Sequence, residues 1–171
     1  ALGALDQIEA VFGKSENVTA TKYDILLRQS KPLEALKTLE EYNKEFSSPY
    51  VLTKLGDHSM AEYKDSAALA YYKEALDLQN GYMPALLGES EVYRTRRNFP
   101  EFFRALNMFV TDDQTDVQAK TQYLGMLVSR SDPRFIQSVR PQLDTLYDNL
   151  VLCHPTDSAA LMASGLYWYS T

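Results

Sequence analysis

The chain is poor in the groups that reactive chemistry uses. It has one cysteine, Cys153, and two histidines, His58 and His154, in 171 residues. One cysteine excludes an intrachain disulfide, so cysteine usage names no compartment. Basic residues are outnumbered, 17 against 23 acidic, giving a net charge of -6. That balance argues against a nucleic-acid backbone, which needs a clustered basic surface. It is also the wrong sign for an anionic membrane surface. No apolar run approaches the roughly 20 residues that cross a bilayer, so no direct membrane insertion is expected. The start, residues 1–12, contains Asp6 and Glu9 and does not read as a signal peptide. The chain begins without Met and ends on an apolar helical pattern, so it is expected to be a fragment of a longer protein.

Two-residue alternation is absent over any useful length, so no strand is expected. Seven glycines and seven prolines fall mainly between segments of helical period. Leu2, Leu5, Ile8 and Phe12 make a first stripe, closed by Gly13. Ser15, Asn17 and Thr19 each read as an N-cap for a helix over about 17–30. Pro32 opens the next, to about 46. Further helices are expected near 50–62, 65–79, 84–95, 100–110 and 116–129. A longer one runs from Pro133 to about Leu152, and a last from Ser158 to Tyr169. Hydrophobic content of 45% is enough to bury a core beneath these stripes. The fold class is all-α.

Residues 52–84 hold the clearest unit. It reads Leu55-Gly56 in one helix, then Ala68, Tyr72 and Ala75 in the next. Shifted forward by 34 positions, Ser90 replaces Gly56, and Phe102, Leu106 and Phe109 replace Ala68, Tyr72 and Ala75. Shifted back by 33, Ala35, Leu39 and Tyr42 fall into register. Leu124-Gly125 and Ser164-Gly165 repeat the Leu55-Gly56 pair. A glycine inside a helix costs roughly 1 kcal/mol relative to alanine, so Gly56 is expected to sit at a close helix contact. An ordinary helical bundle with coincidental spacing is the competing architecture.

These residues resemble the tetratricopeptide repeat (TPR) family. The likeness is good over 49–82, weaker over 16–48 and 83–116, and loosest over 117–157. Residues 1–15 and 158–171 read as partial repeats of one array over 1–171. The resemblance implies a right-handed α-α superhelix of antiparallel hairpins. One hairpin cannot bury its own apolar face, so such units must stack into a solenoid.

In such a stack the first helix of each pair lines a concave groove. The resemblance places Asp24, Asp57, Glu91 and Met126 there, one position after the glycine equivalent. Arg28, Ala61, Thr95 and Arg130 stand five after it. Thr53 and Gln122 should join them, with Tyr50 at the rim, and Arg94 offsets or pairs the acids. Asp24, Asp57 and Glu91 would make an acidic stripe favouring a basic peptide. The plainer reading is that they are solvated helix positions. Some TPR domains grip a C-terminal carboxylate with Lys and Asn. Here Asp24, Asp57 and Glu91 replace the Asn type, and Ala20 and Thr53 the first Lys, so that clamp is not expected.

Elsewhere the sequence holds look-alikes. His58 reads as a surface histidine, and Cys153-His154 as a helix end with a half-buried thiol. Gly13-Lys14-Ser15 imitates a phosphate loop, but Ile8 stands where a glycine is required. Asp112, Asp113 and Asp116 lack calcium-loop spacing. Asn17-Val18-Thr19 is a glycosylation sequon only in a secretory setting. No catalytic residue, metal or cofactor is expected. The expectation is a non-catalytic protein-interaction scaffold for a peptide or partner helix. The alternative is a structural spacer that stacks on further repeats or a second copy through Leu161, Leu166, Tyr167 and Trp168. The composition is also similar to exported bacterial TPR proteins, which brings in the periplasm as one compartment.

Overall fold

Proline sets where most helices begin. Six of the seven prolines occupy a first turn, where the missing N–H costs nothing: Pro32, Pro49, Pro84, Pro100, Pro133 and Pro141. The computed structural model describes residues 2–170; residues 1 and 171, the outer edges of the expected partial repeats, lie outside them. Among the described residues there are eleven helices and no strand. They are α1 (Leu2–Phe12), α2 (Glu16–Arg28), α3 (Pro32–Asn43), α4 (Pro49–Ala61), α5 (Asp65–Leu78) and α6 (Met83–Thr95). Then come α7 (Phe99–Thr111), α8 (Val117–Arg130), α9 (Pro133–Ser138), α10 (Arg140–Cys153) and α11 (Ser158–Ser170).

Local chemistry explains the joints. Gly13 ends α1 at φ +82°, a left-handed conformation that glycine enters without steric cost. Of the three cap candidates Ser15 is the cap, its Oγ accepting from the Val18 N–H at 3.4 Å; Asn17 and Thr19 lie inside α2. Ser48 caps α4 in the same way, accepting from Val51 at 3.2 Å. Helices α2 and α4 both end on a left-handed residue, Ser30 and Tyr63. In each, the next N–H reaches back five residues: Lys31 to the Leu26 carbonyl at 2.9 Å, Lys64 to Ser59 at 2.8 Å. One helix-ending motif therefore recurs at the expected shift of the repeat.

The expected long helix over 133–152 is two helices. Val139, at φ -112° and ψ 14°, breaks it into α9 and α10. Pro141 is the physical reason: it donates no backbone hydrogen bond, and its ring excludes the carbonyl four residues earlier.

The helices group into two compact units, Ala1–Arg96 and Arg97–Thr171. In the first, α2 pairs with α3 and α4 with α5, while α3 also lies on α4 and α5 on α6. Helices α2, α4 and α6 touch in that order along one side. Two clusters fill the interior. One joins Leu52, Ala68, Tyr72, Ala75, Ala85 and Val92, the other Leu39, Tyr42, Val51 and Leu55. The alanines let backbones approach, and Tyr72 fills the space between: a Cβ on Gly56 would lie 2.6 Å from its ring.

In the second unit α7 lies on α10, α8 on α11, and α10 on α9 and α11. Leu106, Phe109, Leu143, Leu146 and Leu150 are buried there. The rings of Tyr147 and Tyr167 stack at 4.1 Å, 8° from parallel. Tyr167 also donates its hydroxyl to Asp144 at 2.6 Å. Gly125 and Gly165 match the pattern of Gly56 but face open space, so here the motif carries no close contact.

Candidate functional site

The row α2, α4 and α6 presents a tyrosine-lined face. On α4, Tyr50, Lys54 and Asp57 follow at steps of four and three, which puts them on one stripe. The opposite stripe, Leu52, Leu55, Gly56 and Ser59, is buried. Tyr23 and Asp24 come from α2, Tyr82 from the cap of α6, and Glu91 from α6 itself. Tyr23 and Tyr50 pack their rings on the Leu39 cluster, and Tyr82 packs on the Leu52 cluster. Each of the three is thus half-buried.

Asp57 is the hub of this face. Its Oδ1 accepts from the Tyr72 hydroxyl at 2.9 Å, and its Oδ2 from Lys54 Nζ at 3.2 Å. Lys54 Nζ also sits 5.9 Å from the centre of the Tyr50 ring, within range of a cation–π contact. Burial works to lower the Lys54 ammonium, but Asp57, Tyr50 and Tyr23 together hold the group above its ordinary value. The phenols of Tyr23, Tyr50 and Tyr82 are all pushed up, by burial first and then by the carboxylates around them. Asp24 acts on Tyr23 and Tyr50, and Asp57 on Tyr23 and Tyr82. Tyr72 is pushed up further, by burial, then Asp57, then Glu91. Asp57 is thus the acid in common: it shares Tyr23 with Asp24 and Tyr72 with Glu91.

The other expected groove residues divide. Arg28 is exposed in the last turn of α2. Arg94 pairs with Glu91 at 2.6 Å, and the Thr95 hydroxyl donates to the Glu91 carbonyl at 2.8 Å. Thr53 is only 3% exposed, and its hydroxyl donates to the Pro49 carbonyl at 2.7 Å, so it packs inside. Gln122, Met126 and Arg130 belong to α8 in the second unit. There Gln122 lines a groove of about 620 Å³ with Gly125, Met162 and Leu166, floored by Tyr147 and Tyr167. Met126 and Arg130 are exposed. Sequence reasoning missed Tyr23, Lys54 and Tyr82. The four-residue step from Tyr50 to Lys54 is the signal that finds Lys54.

A second cluster lies at the base of α8. Lys120 is fully buried; its Nζ donates to the Asp112 carbonyl and lies 3.0 Å from His154 Nε2. Burial lowers its ammonium against the pull of Asp112, Cys153 and Asp113. Cys153, expected half-buried, is exposed. His58 pairs with Glu62 at 3.3 Å on the surface of α4. Among the described residues no three His, Cys, Asp or Glu side chains are grouped to hold a metal ion. No described helix is long and apolar enough to cross a membrane. Comparison with protein-family models gives no match, and no curated protein matches the chain.

Proposed function

We propose that the chain is a non-catalytic protein-interaction scaffold, and that the α2–α4–α6 face of the first unit holds an extended basic peptide. One observation carries this reading: the carboxylates of Asp24 and Asp57 both act on the half-buried Tyr23, and each reaches one further half-buried tyrosine of the face, Asp24 to Tyr50 and Asp57 to Tyr82. Amphipathic rings give contact area at low entropic cost, and the carboxylates select the sign of the partner. The recurring helix end at Ser30 and Tyr63, with Ala68, Tyr72 and Ala75 at the helix contact, supports a TPR-like stack. A right-handed superhelix belongs to this proposal. The test is selection of binders from a random peptide library on the immobilised chain. Recovered sequences should be enriched in Lys and Arg, and Asp24→Asn with Asp57→Asn should abolish the enrichment while the helical circular dichroism stays. Neutral or acidic binders would remove the reading.

A second reading, an assembly segment, is favoured by α11. That helix carries no charged residue, and Met162 and Leu166 are 67% and 63% exposed beside the 620 Å³ groove. A helix apolar on all sides is a helix made to be covered. Sedimentation of the chain at rising concentration tests it. Association relieved by Met162→Glu with Leu166→Glu supports it, and a monomer at every concentration removes self-association.

A further inference from the structure

Lys54 occupies the very position that a cationic partner would need. Its ammonium rests on Asp57 Oδ2 at 3.2 Å and over the Tyr50 ring at 5.9 Å, and the side chain keeps 34% of its surface exposed. The face thus already holds one ammonium, supplied by the chain itself. The tether is weak. An i,i+3 ion pair near the surface and an accessible cation–π contact each hold a side chain loosely. Asp57 keeps a second partner, the Tyr72 hydroxyl at 2.9 Å, so its carboxylate stays in place when Lys54 leaves. Tyr50 is fixed from below by the Leu39 cluster.

We infer that Lys54 is a tethered place-holder: an arginine or lysine side chain of the bound peptide displaces it from Asp57 and Tyr50. This rests on the proposed basic-peptide face and adds a competitor to it. The place-holder keeps the carboxylate paired when the face is empty. It also subtracts its own release from the affinity for every cation that enters.

The probe is a blocked pentapeptide with one central arginine, alongside its citrulline counterpart, titrated into the full chain. The arginine peptide should bind and the citrulline peptide should not. Lys54→Met keeps the apolar stem, removes the competitor, and should tighten arginine binding roughly three- to tenfold. Lys54→Gln should do the same if the methionine variant folds poorly. Lys73→Met removes an exposed positive charge from α5 and should leave the affinity within twofold. In the wild type, the Lys54 ε-methylene resonance, shifted by the Tyr50 ring, should move to its solvent position at saturation. Arginine selectivity that Asp57→Asn abolishes, with no gain from Lys54→Met over Lys73→Met, would overturn the displacement and leave the face standing. Equal binding of both peptides, insensitive to Asp57→Asn, would remove the face as well.

Discussion

A Cβ on Gly88 would fall 2.4 Å from both Cε1 and Cζ of Tyr72. A Cβ on Gly56 would meet the same ring from α4, at 2.6 Å from Cε1. The ring cannot step aside, because Tyr72 is 2% exposed and its hydroxyl is held by Asp57. Two glycines on two helices thus define the seat of one tyrosine, and that tyrosine orients the carboxylate at the centre of the candidate face.

Alanine at these glycines sets overpacking against helix propensity. Propensity favours alanine by roughly 1 kcal/mol, while forcing a methyl into a filled contact costs about 1–3 kcal/mol. Gly88→Ala and Gly56→Ala should therefore lower stability in urea unfolding. Gly125→Ala and Gly165→Ala, where nothing lies within 4 Å, should raise it by about 0.5–1 kcal/mol. The opposite order would contradict the packing described.

Lys120 makes stability depend on alkaline pH. Burial holds its ammonium below the ordinary 10.5. Between the folded-state value and 10.5 the unfolded chain keeps a proton that the folded chain has released, so this group's contribution rises with pH through that window. Lys120→Met abolishes it. The stability of the wild type relative to the variant should increase as pH climbs from neutral toward 10.5. A difference that stays flat would show the buried ammonium to be unperturbed.

Tyr147 gives the opposite sign at higher pH. Burial pushes its phenol from 10 up to about 12. Its contribution is complete below pH 10 and is lost as pH rises through about 12, a change worth about 2–3 kcal/mol. The ultraviolet phenolate titration should show one late-ionising tyrosine missing in Tyr147→Phe. Over the same interval the variant should lose less stability than the wild type.

Periodic features were legible in the sequence where they reflect packing. Gly56, Ala68, Tyr72 and Ala75 announce a close helix contact because each of them builds it. Gly88 escapes the pattern because it sits two positions before Ser90, the residue in register with Gly56. Gly125 and Gly165 satisfy the pattern without the contact, since no ring stands opposite. Thr53 looks like a groove residue by position, yet a threonine can return its hydroxyl to its own helix and be buried satisfied. Lys120 carried no sign of burial, because nothing local reveals that a carbonyl at Asp112 and the ring of His154 will converge on it. On the candidate face Asp24, Asp57 and Glu91 were picked out by repeat register. Of its tyrosines, Tyr50 was placed at the rim by repeat register, while Tyr23 and Tyr82, each half-buried, carried no signal that separated them from core residues.

The most direct test of the basic-peptide face is a backbone amide shift map of the labelled chain, titrated with a Lys- and Arg-rich peptide recovered from library selection. Shifts should concentrate at Tyr23, Asp24, Tyr50, Lys54, Asp57 and Tyr82, and fade as salt rises. Shifts confined to the α8–α11 groove, or insensitive to salt, would contradict the assignment of that face.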